Sequence, residues 1–268
     1  MQPTTLSHIL ITGATGGIGA ELAGQLARRD VRLSFVARDA SRLDGLVGAV
    51  AGTAYSATAI VADLGDSRAA GDIVAEARRR HGPIDVLVNN AALPGFGHIA
   101  DLAPADIERV FAVNVLAPVL LARAVVPEMC ARGRGQIVNI GSIFGSIGFA
   151  GFSAYSSGKF ALRGFSEALR RELDGSGVSV TYVAPRYTKT GLNAPAVRSL
   201  AEATGMAMDE PQDVARQIVA AIERRQAELV IGRAERFFVR INALWPKLVD
   251  RGLAKTTRRI RDIVNRAA

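Results

Sequence analysis

The sequence predicts an α/β domain built on one doubly wound parallel sheet, about seven strands with helices on both faces. Three observations predict it. Short, β-branched, almost wholly apolar runs alternate with longer amphipathic stretches. Those runs lack polar alternation, which marks strands buried on both faces rather than strands with one wet face. The first run passes straight into a glycine-rich turn and then a helical pattern.

Taken in order, strands are expected at 8–12, 32–36, 59–61, 84–88, 136–140, 179–183 and 228–231. Helical patterns fall between them at 18–29, 67–80, 105–131, 156–174 and 211–225. Repetition on this scale means successive βαβ units, each returning the chain to the same edge of the sheet. There is no tandem repeat and no Pro/Ser-rich linker, and the weak break from Gly205 to Pro211 reads as a loop inside one domain. The expected division is a domain over 1–232 followed by a basic helical extension over 233–268.

The first turn reads Thr12-Gly13-Ala14-Thr15-Gly16-Gly17-Ile18-Gly19. Glycines 13, 17 and 19 allow a tight turn, a close backbone approach to a pyrophosphate and close packing of helix on strand. The helix N-terminus that follows carries partial positive charge suited to phosphate. Within a βαβ context this is a Rossmann-type dinucleotide site, with Gly13, Thr15, Gly17, Ile18 and Gly19 as its first contacts.

The spacing T-G-x-x-x-G-x-G resembles that of the short-chain dehydrogenase/reductase family, and further matches extend over about residues 5–232. The resemblance implies that Asp63 and Leu64, after the third strand, contact the adenine. It implies that Asn90 and Ala91, in Asn89-Asn90-Ala91, line the cofactor wall, and that Pro185 and Thr190 flank the nicotinamide. It also implies a catalytic set of Asn114, Ser142, Tyr155 and Lys159. Two positions depart from the family pattern: Ala92 stands where a glycine is usual, and Arg186 follows Pro185 where a glycine is frequent. That arginine reaches phosphate or an acidic substrate, or else serves the loop or solvent.

The chemistry follows from residue types. Tyr155 and Lys159 are spaced i, i+4, so a helix presents both on one face, and the resemblance implies that Lys159 also holds the nicotinamide ribose. A free phenol titrates near 10, and an adjacent ammonium is expected to lower that value until Tyr155 can exchange a proton with a substrate oxygen. Ser142 is expected to hold that oxygen, and Asn114 to anchor a water that links Lys159 to solvent. At the end of the second strand Ala37 precedes Arg38, whose guanidinium suits a 2′-phosphate, so NADP(H) is favoured over NAD(H). Asp39 follows, and a small shift would place it at the ribose instead. The apolar segment 143–149, with Pro94, Phe96 and the stretch 192–208, is expected to enclose an apolar carbonyl or alcohol.

Composition excludes several classes. The chain has 268 residues, 49% of them hydrophobic and 22% charged, enough for a sizeable core. A single cysteine, Cys130, forms no internal disulfide, which points to a reducing, cytoplasmic setting. With His8, His81 and His98 scattered, no metal site is expected. His98 reads as a solvated loop residue and Cys130 as core. No signal sequence is visible, and the apolar stretch 111–130 is interrupted by Asn114, Arg123, Pro127 and Glu128, so no membrane span is expected.

The net charge of +8 is concentrated at one end: residues 233–268 hold 10 Lys and Arg against 3 Asp and Glu. Phe237, Ile241, Leu244 and Leu248 recur there at helical spacing beside Trp245, with Pro246 expected to divide the helix. A second basic stretch at 256–266 carries Ile260, Ile263 and Val264. Such segments lie on membrane surfaces, pack on a partner subunit or cover a cleft, and all three readings stay open. Nucleic acid is the weakest candidate, because no reading motif accompanies the charge.

The function expected is an NADP(H)-dependent oxidoreductase interconverting a carbonyl and a secondary alcohol on an apolar, lipid-like substrate; the resemblance implies a homodimer or homotetramer with contact through 105–131 and 156–174. The alternatives are a 3-oxoacyl thioester reductase and a non-catalytic NADP(H)-binding sensor or scaffold.

Overall fold

A computed structural model describes residues 7–27, 30–192, 197 and 207–267, with side chains of the last helix through 261. Seven parallel strands form one sheet in the order β3-β2-β1-β4-β5-β6-β7. They are β1 Ser7–Thr12, β2 Val31–Ala37, β3 Ser56–Val61, β4 Val86–Asn89, β5 Gly135–Ile140, β6 Val178–Ala184 and β7 Glu228–Val230. The order reverses between β1 and β4. The crevice beyond their carboxyl ends is where an open α/β sheet binds ligands.

Helices α1 Gly17–Ala27, α2 Ala40–Val50 and α7 Pro211–Glu223 pack with the core that includes Ile9, Leu33, Phe35 and Ile218. Helices α3 Ala69–His81, α5 Ala117–Ala131 and α6 Ser153–Glu172 belong to the core around Leu10, Leu87, Leu121 and Ile137. Helix α2 is absent from the sequence expectation. It buries only Leu43 and Val50 and contains Gly45 and Gly48, so its apolar period is faint. What starts it is Asp39, whose carboxylate accepts a hydrogen bond from the Arg42 N–H at 3.0 Å.

Helix α4 Pro104–Phe111 continues through a π-helical turn, Ala112–Leu116, into α5. Among the described residues, 104–131 is one helix long and apolar enough to cross a bilayer, despite the interruptions read in the sequence. Its apolarity serves the interior, since Leu121, Ala122, Val125 and Met129 are buried against the sheet. The half-buried Cys130 packs on the same core, as expected.

One buried polar pair ties β1 to β2. The His8 ring meets the Gly82 carbonyl at 2.9 Å through Nδ1 and the Ser34 hydroxyl at 2.8 Å through Nε2. Burial holds the imidazole neutral, with its pKa lowered to about 4.

After β7, α8 Arg233–Leu244 and α9 Pro246–Ala267 fold back over the carboxyl edge of the sheet. Pro246 opens α9, where the missing N–H costs nothing, so the helix divides where the proline predicts. The side chains of Ile263, Val264 and Arg266 lie outside the described residues.

Candidate active site

A cleft of about 600 Å³ opens at the carboxyl ends of β1, β4, β5 and β6. The glycine turn forms one end. Gly13 adopts φ +62°, and a Cβ there would sit 2.7 Å from Ala91 Cα. At Gly19 a Cβ would lie 2.2 Å from the Gly13 carbonyl oxygen, so α1 can begin this close to β1 only without a side chain. The Asn90 amide donates to the carbonyls of Thr12 and Gly13 at 3.1 and 3.0 Å. The Thr12 hydroxyl accepts from the Asn90 and Ala91 N–H groups. Asn90 and Ala91 therefore shape the turn as well as border the cleft. Gly17 opens α1 against Thr190, and Ile18, Asn90, Ala92, Pro185 and Thr190 line the cleft.

The adenosine end differs from expectation at Asp39 and Arg42. Asp39, the alternative ribose ligand, is turned into α2 as its N-cap. Arg42, not singled out in the sequence, reaches back so that its guanidinium donates to the Thr15 carbonyl at 2.6 Å. Arg38, just after β2, is exposed and acts on the Asp63 carboxylate. Asp63 accepts from the Gly65 N–H at 2.9 Å and from Arg109 at 2.7 Å, and these two donors in that order hold its carboxyl below the ordinary range. The Leu64 side chain packs into the core.

The floor is built by β5 and α6. Ser142 caps a 3₁₀ turn, Ile143–Gly145, its hydroxyl accepting from the Phe144 N–H at 3.1 Å. Tyr155 and Lys159 project from one face of α6, the ammonium 5.6 Å from the phenol ring centre. Lys159 is buried, donates to the Ile140 carbonyl at 2.9 Å, and is pushed down to about 8 by that burial. Tyr155 keeps part of its surface open to the cleft, yet its surroundings of Phe144 and Phe152 are apolar. Desolvation raises the phenol to about 12, and the Ser142 hydroxyl only partly opposes it. The expected lowering by Lys159 does not operate in the chain alone: both charged forms suffer from the same poor solvation, and the ammonium is engaged with Ile140.

Asn114 is paired with the loop after β4. It sits in the π-helical turn, accepts from the Leu93 N–H at 2.8 Å and donates to the Leu93 carbonyl at 2.9 Å. Its side-chain amide therefore holds the loop after β4.

Buried groups that the sequence reading missed hold the floor in place. The Asn89 amide donates to Asn139 at 2.8 Å, and Asn139 donates to the Ser166 hydroxyl at 2.8 Å, joining β4, β5 and α6. The Tyr182 hydroxyl on β6 donates to the Ser142 carbonyl at 3.3 Å.

The roof is apolar on its inner side. Ile143, Phe144, Ile147, Phe149 and Pro94 line the cleft as expected, and Phe96 packs on Phe152 behind it. Of the stretch 192–208, Leu192, Val197 and Ala207 line it, whereas 193–196 and 198–206 lie outside the described residues. Helices α8 and α9 add Phe238, Val249, Leu253 and Thr256. His98 is not among the lining residues. Arg186 proves to be a clamp: it donates to Asp209 at 2.9 and 2.7 Å and to Glu235 of α8 at 3.3 Å. Asp209 first, then Glu235, hold its guanidinium charged. Asn242 of α8 donates to the Ser146 carbonyl at 3.0 Å, a second tie from roof to floor.

Comparison with known proteins agrees with this geometry. The family model described as short chain dehydrogenase matches residues 7–201. The ketoacyl reductase HetN of Nostoc is 33% identical over 258 residues, covering 94% of this chain and 89% of its own length. A short-chain dehydrogenase from Sphingobium yanoikuyae, solved with NADPH, is 31% identical with a TM-score of 0.78, over 91% of this chain and 96% of its own. One from Burkholderia phymatum, solved with NAD, shares the fold at TM-score 0.83 and 23% identity, over 92% and 96%. Breadth of match and sheet order together place this chain in the short-chain dehydrogenase/reductase family of oxidoreductases.

Proposed function

We propose that the chain is an NADP(H)-dependent oxidoreductase that interconverts a carbonyl and a secondary alcohol on an apolar, lipid-like substrate. The observation that carries this reading is the meeting of Tyr155, Ser142 and the buried Lys159 on the floor of one apolar-walled cleft.

The bound nicotinamide supplies or accepts the hydride; orientation and protons come from the chain. The glycine turn and the α1 N-terminus would hold the pyrophosphate. Pro185 and Thr190 would flank the nicotinamide, and Lys159 would hold its ribose. Ser142 donates to the substrate oxygen, and Tyr155 delivers its proton to that oxygen in reduction or removes it in oxidation. A phenol held at about 12 remains a proton donor throughout the neutral range. As the proton leaves, the phenolate gains a buried counter-ion in Lys159, and the same charge pairing favours the ammonium. Asn114 and Tyr182 act as positioning residues, on the loop after β4 and on the Ser142 backbone.

Arg42 beside the glycine turn and Arg38 just after β2, with Asp39 turned away, support NADP(H) over NAD(H). Exposed Phe111 and Leu116 on the helix 104–131 and exposed Phe160 on α6 support a homo-oligomer with contact through these helices. The catalytic unit is read as 1–232, with 233–268 an extension that roofs it.

A second reading, reduction of a 3-oxoacyl thioester, draws on the name of the Nostoc relative. The test is NADPH consumption by the purified protein over carbonyls graded from small aldehydes to long-chain, steroidal and acyl-thioester ketones. Turnover confined to large apolar members is the expected result, and turnover confined to acyl thioesters selects the second reading. Tight NADPH binding with no turnover in either direction would leave a non-catalytic binder.

A further inference from the structure

The two faces of the C-terminal helices have opposite characters. Inward, Glu235 and Asn242 of α8 and Val249, Leu253, Thr256 and Ile260 of α9 meet the cleft, the Ser146 loop or the cluster around Phe152, and Phe238 reaches the cleft rim while 52% exposed. Outward, Phe237, Leu244, Trp245 and Leu248 are 61%, 68%, 62% and 56% exposed, far more than core-forming side chains should be. At 100° per residue, Phe237, Arg240 and Leu244 share one stripe of α8, roughly opposite Glu235 and Asn242, and Arg233 lies on the same stripe. Arg236, Lys247 and Arg251 are exposed around it.

We infer that this outer face docks the protein on an anionic lipid bilayer, with Phe237, Leu244, Trp245 and Leu248 inserted at the headgroup boundary and the basic side chains on lipid phosphates. Aromatic and aliphatic side chains flanked by arginines and lysines on one helical face fit an interface that is apolar below and anionic above. Charge selects this occupant over a second copy of the chain. Related by a two-fold axis, the face would set Arg233, Arg236, Arg240, Lys247 and Arg251 against their own copies, with the exposed Asp250 as its one carboxylate among the described residues, too little to offset five cations. Phosphates of a duplex or a single strand match the charge but leave Leu244 and Leu248 without a partner.

Docking there places the cleft one helix thickness, about 10 Å, from the bilayer. The inference stands independently of the reaction at the floor, because its readout is binding.

Trp245 is the only tryptophan, so its fluorescence reports on this face alone. The experiment mixes the full chain with phosphatidylcholine vesicles, with and without phosphatidylglycerol, and follows co-sedimentation and Trp245 emission. Docking predicts a blue shift and co-sedimentation only with phosphatidylglycerol, both weakened by salt. Each cation removed, as in Arg233→Gln or Arg240→Gln, weakens partition about fivefold. Phe237→Ser with Leu248→Ser abolishes the blue shift while thermal unfolding and NADPH binding are kept. The inference is overturned if vesicles of either composition leave Trp245 unchanged. It is equally overturned if the serine variant sediments like the parent, if light scattering shows that variant losing a dimer while no vesicle binds, or if DNA rather than lipid engages the face.

Discussion

The floor and the roof of the cleft are held by different physics. Beneath the substrate space, Lys159, Asn139, Ser166 and Asn114 are buried, and their partners are backbone carbonyls or other buried amides and hydroxyls. Above it, α8 is tied down by the Arg186–Asp209–Glu235 cluster, partly exposed, and by Asn242 on Ser146. Buried hydrogen bonds of this kind have one geometry and cost about 1–3 kcal/mol when a partner is lost, whereas partly wet ion pairs contribute about 1 kcal/mol and can open. The floor is thus built for chemistry that tolerates no displacement, and the roof for a surface that can vary with the substrate.

The largest expected effect breaks the floor. Tyr155→Phe lowers turnover by about 10²–10⁴-fold while NADPH affinity is kept, since only the proton is lost. Stopped-flow turnover and a fluorescence titration of NADPH check both halves. In the parent, kcat/KM for reduction falls as pH rises through about 8, where the Lys159 ammonium is lost.

Next is a stability test away from the cleft. Folded His8 titrates at about 4 against 6.5 unfolded. The unfolded chain therefore binds the extra proton between these values, and stability falls as pH drops through that window, by up to about 3 kcal/mol. Urea melts at neutral pH and near pH 5 measure the loss; His8→Gln flattens the dependence.

A smaller effect sharpens the adenosine end. Arg38→Ala and Arg42→Ala each lower NADPH affinity about tenfold and leave NADH nearly unchanged, as titrations with both cofactors would record. Smallest is the roof clamp. Arg186→Ala raises KM for large carbonyls several-fold at nearly constant kcat, because α8 loosens by about 1 kcal/mol. A matching loss with small aldehydes would show the clamp acting on the floor instead.

Legibility in the sequence follows the same division. The glycine turn, Ser142, Tyr155 and Lys159 announce themselves because their geometry is local: a turn, a strand end, one face of a helix. The parallel, doubly wound class was legible from the buried apolar runs, whereas the strand order came only with the structure. The groups that position these residues were not. Asn89 and Asn139 stand 50 residues apart, Arg186 and Glu235 stand 49 apart, and no periodicity relates either pair. Arg42 carries no signal in the sequence, because α2, faint through Gly45 and Gly48, is what sets it against Thr15. The phenol was misjudged for a related reason: i, i+4 spacing reveals a neighbour but not the desolvation that outweighs it.

The central claim, that the floor carries the reaction and the roof selects the substrate, is tested most directly by a pair of substitutions. kcat/KM is measured for a short and a long-chain ketone in Ser142→Ala, on the floor, and Phe238→Ala, on the roof. The account predicts an equal loss for both ketones in Ser142→Ala and a loss confined to the long one in Phe238→Ala. Equal losses from both substitutions would contradict it.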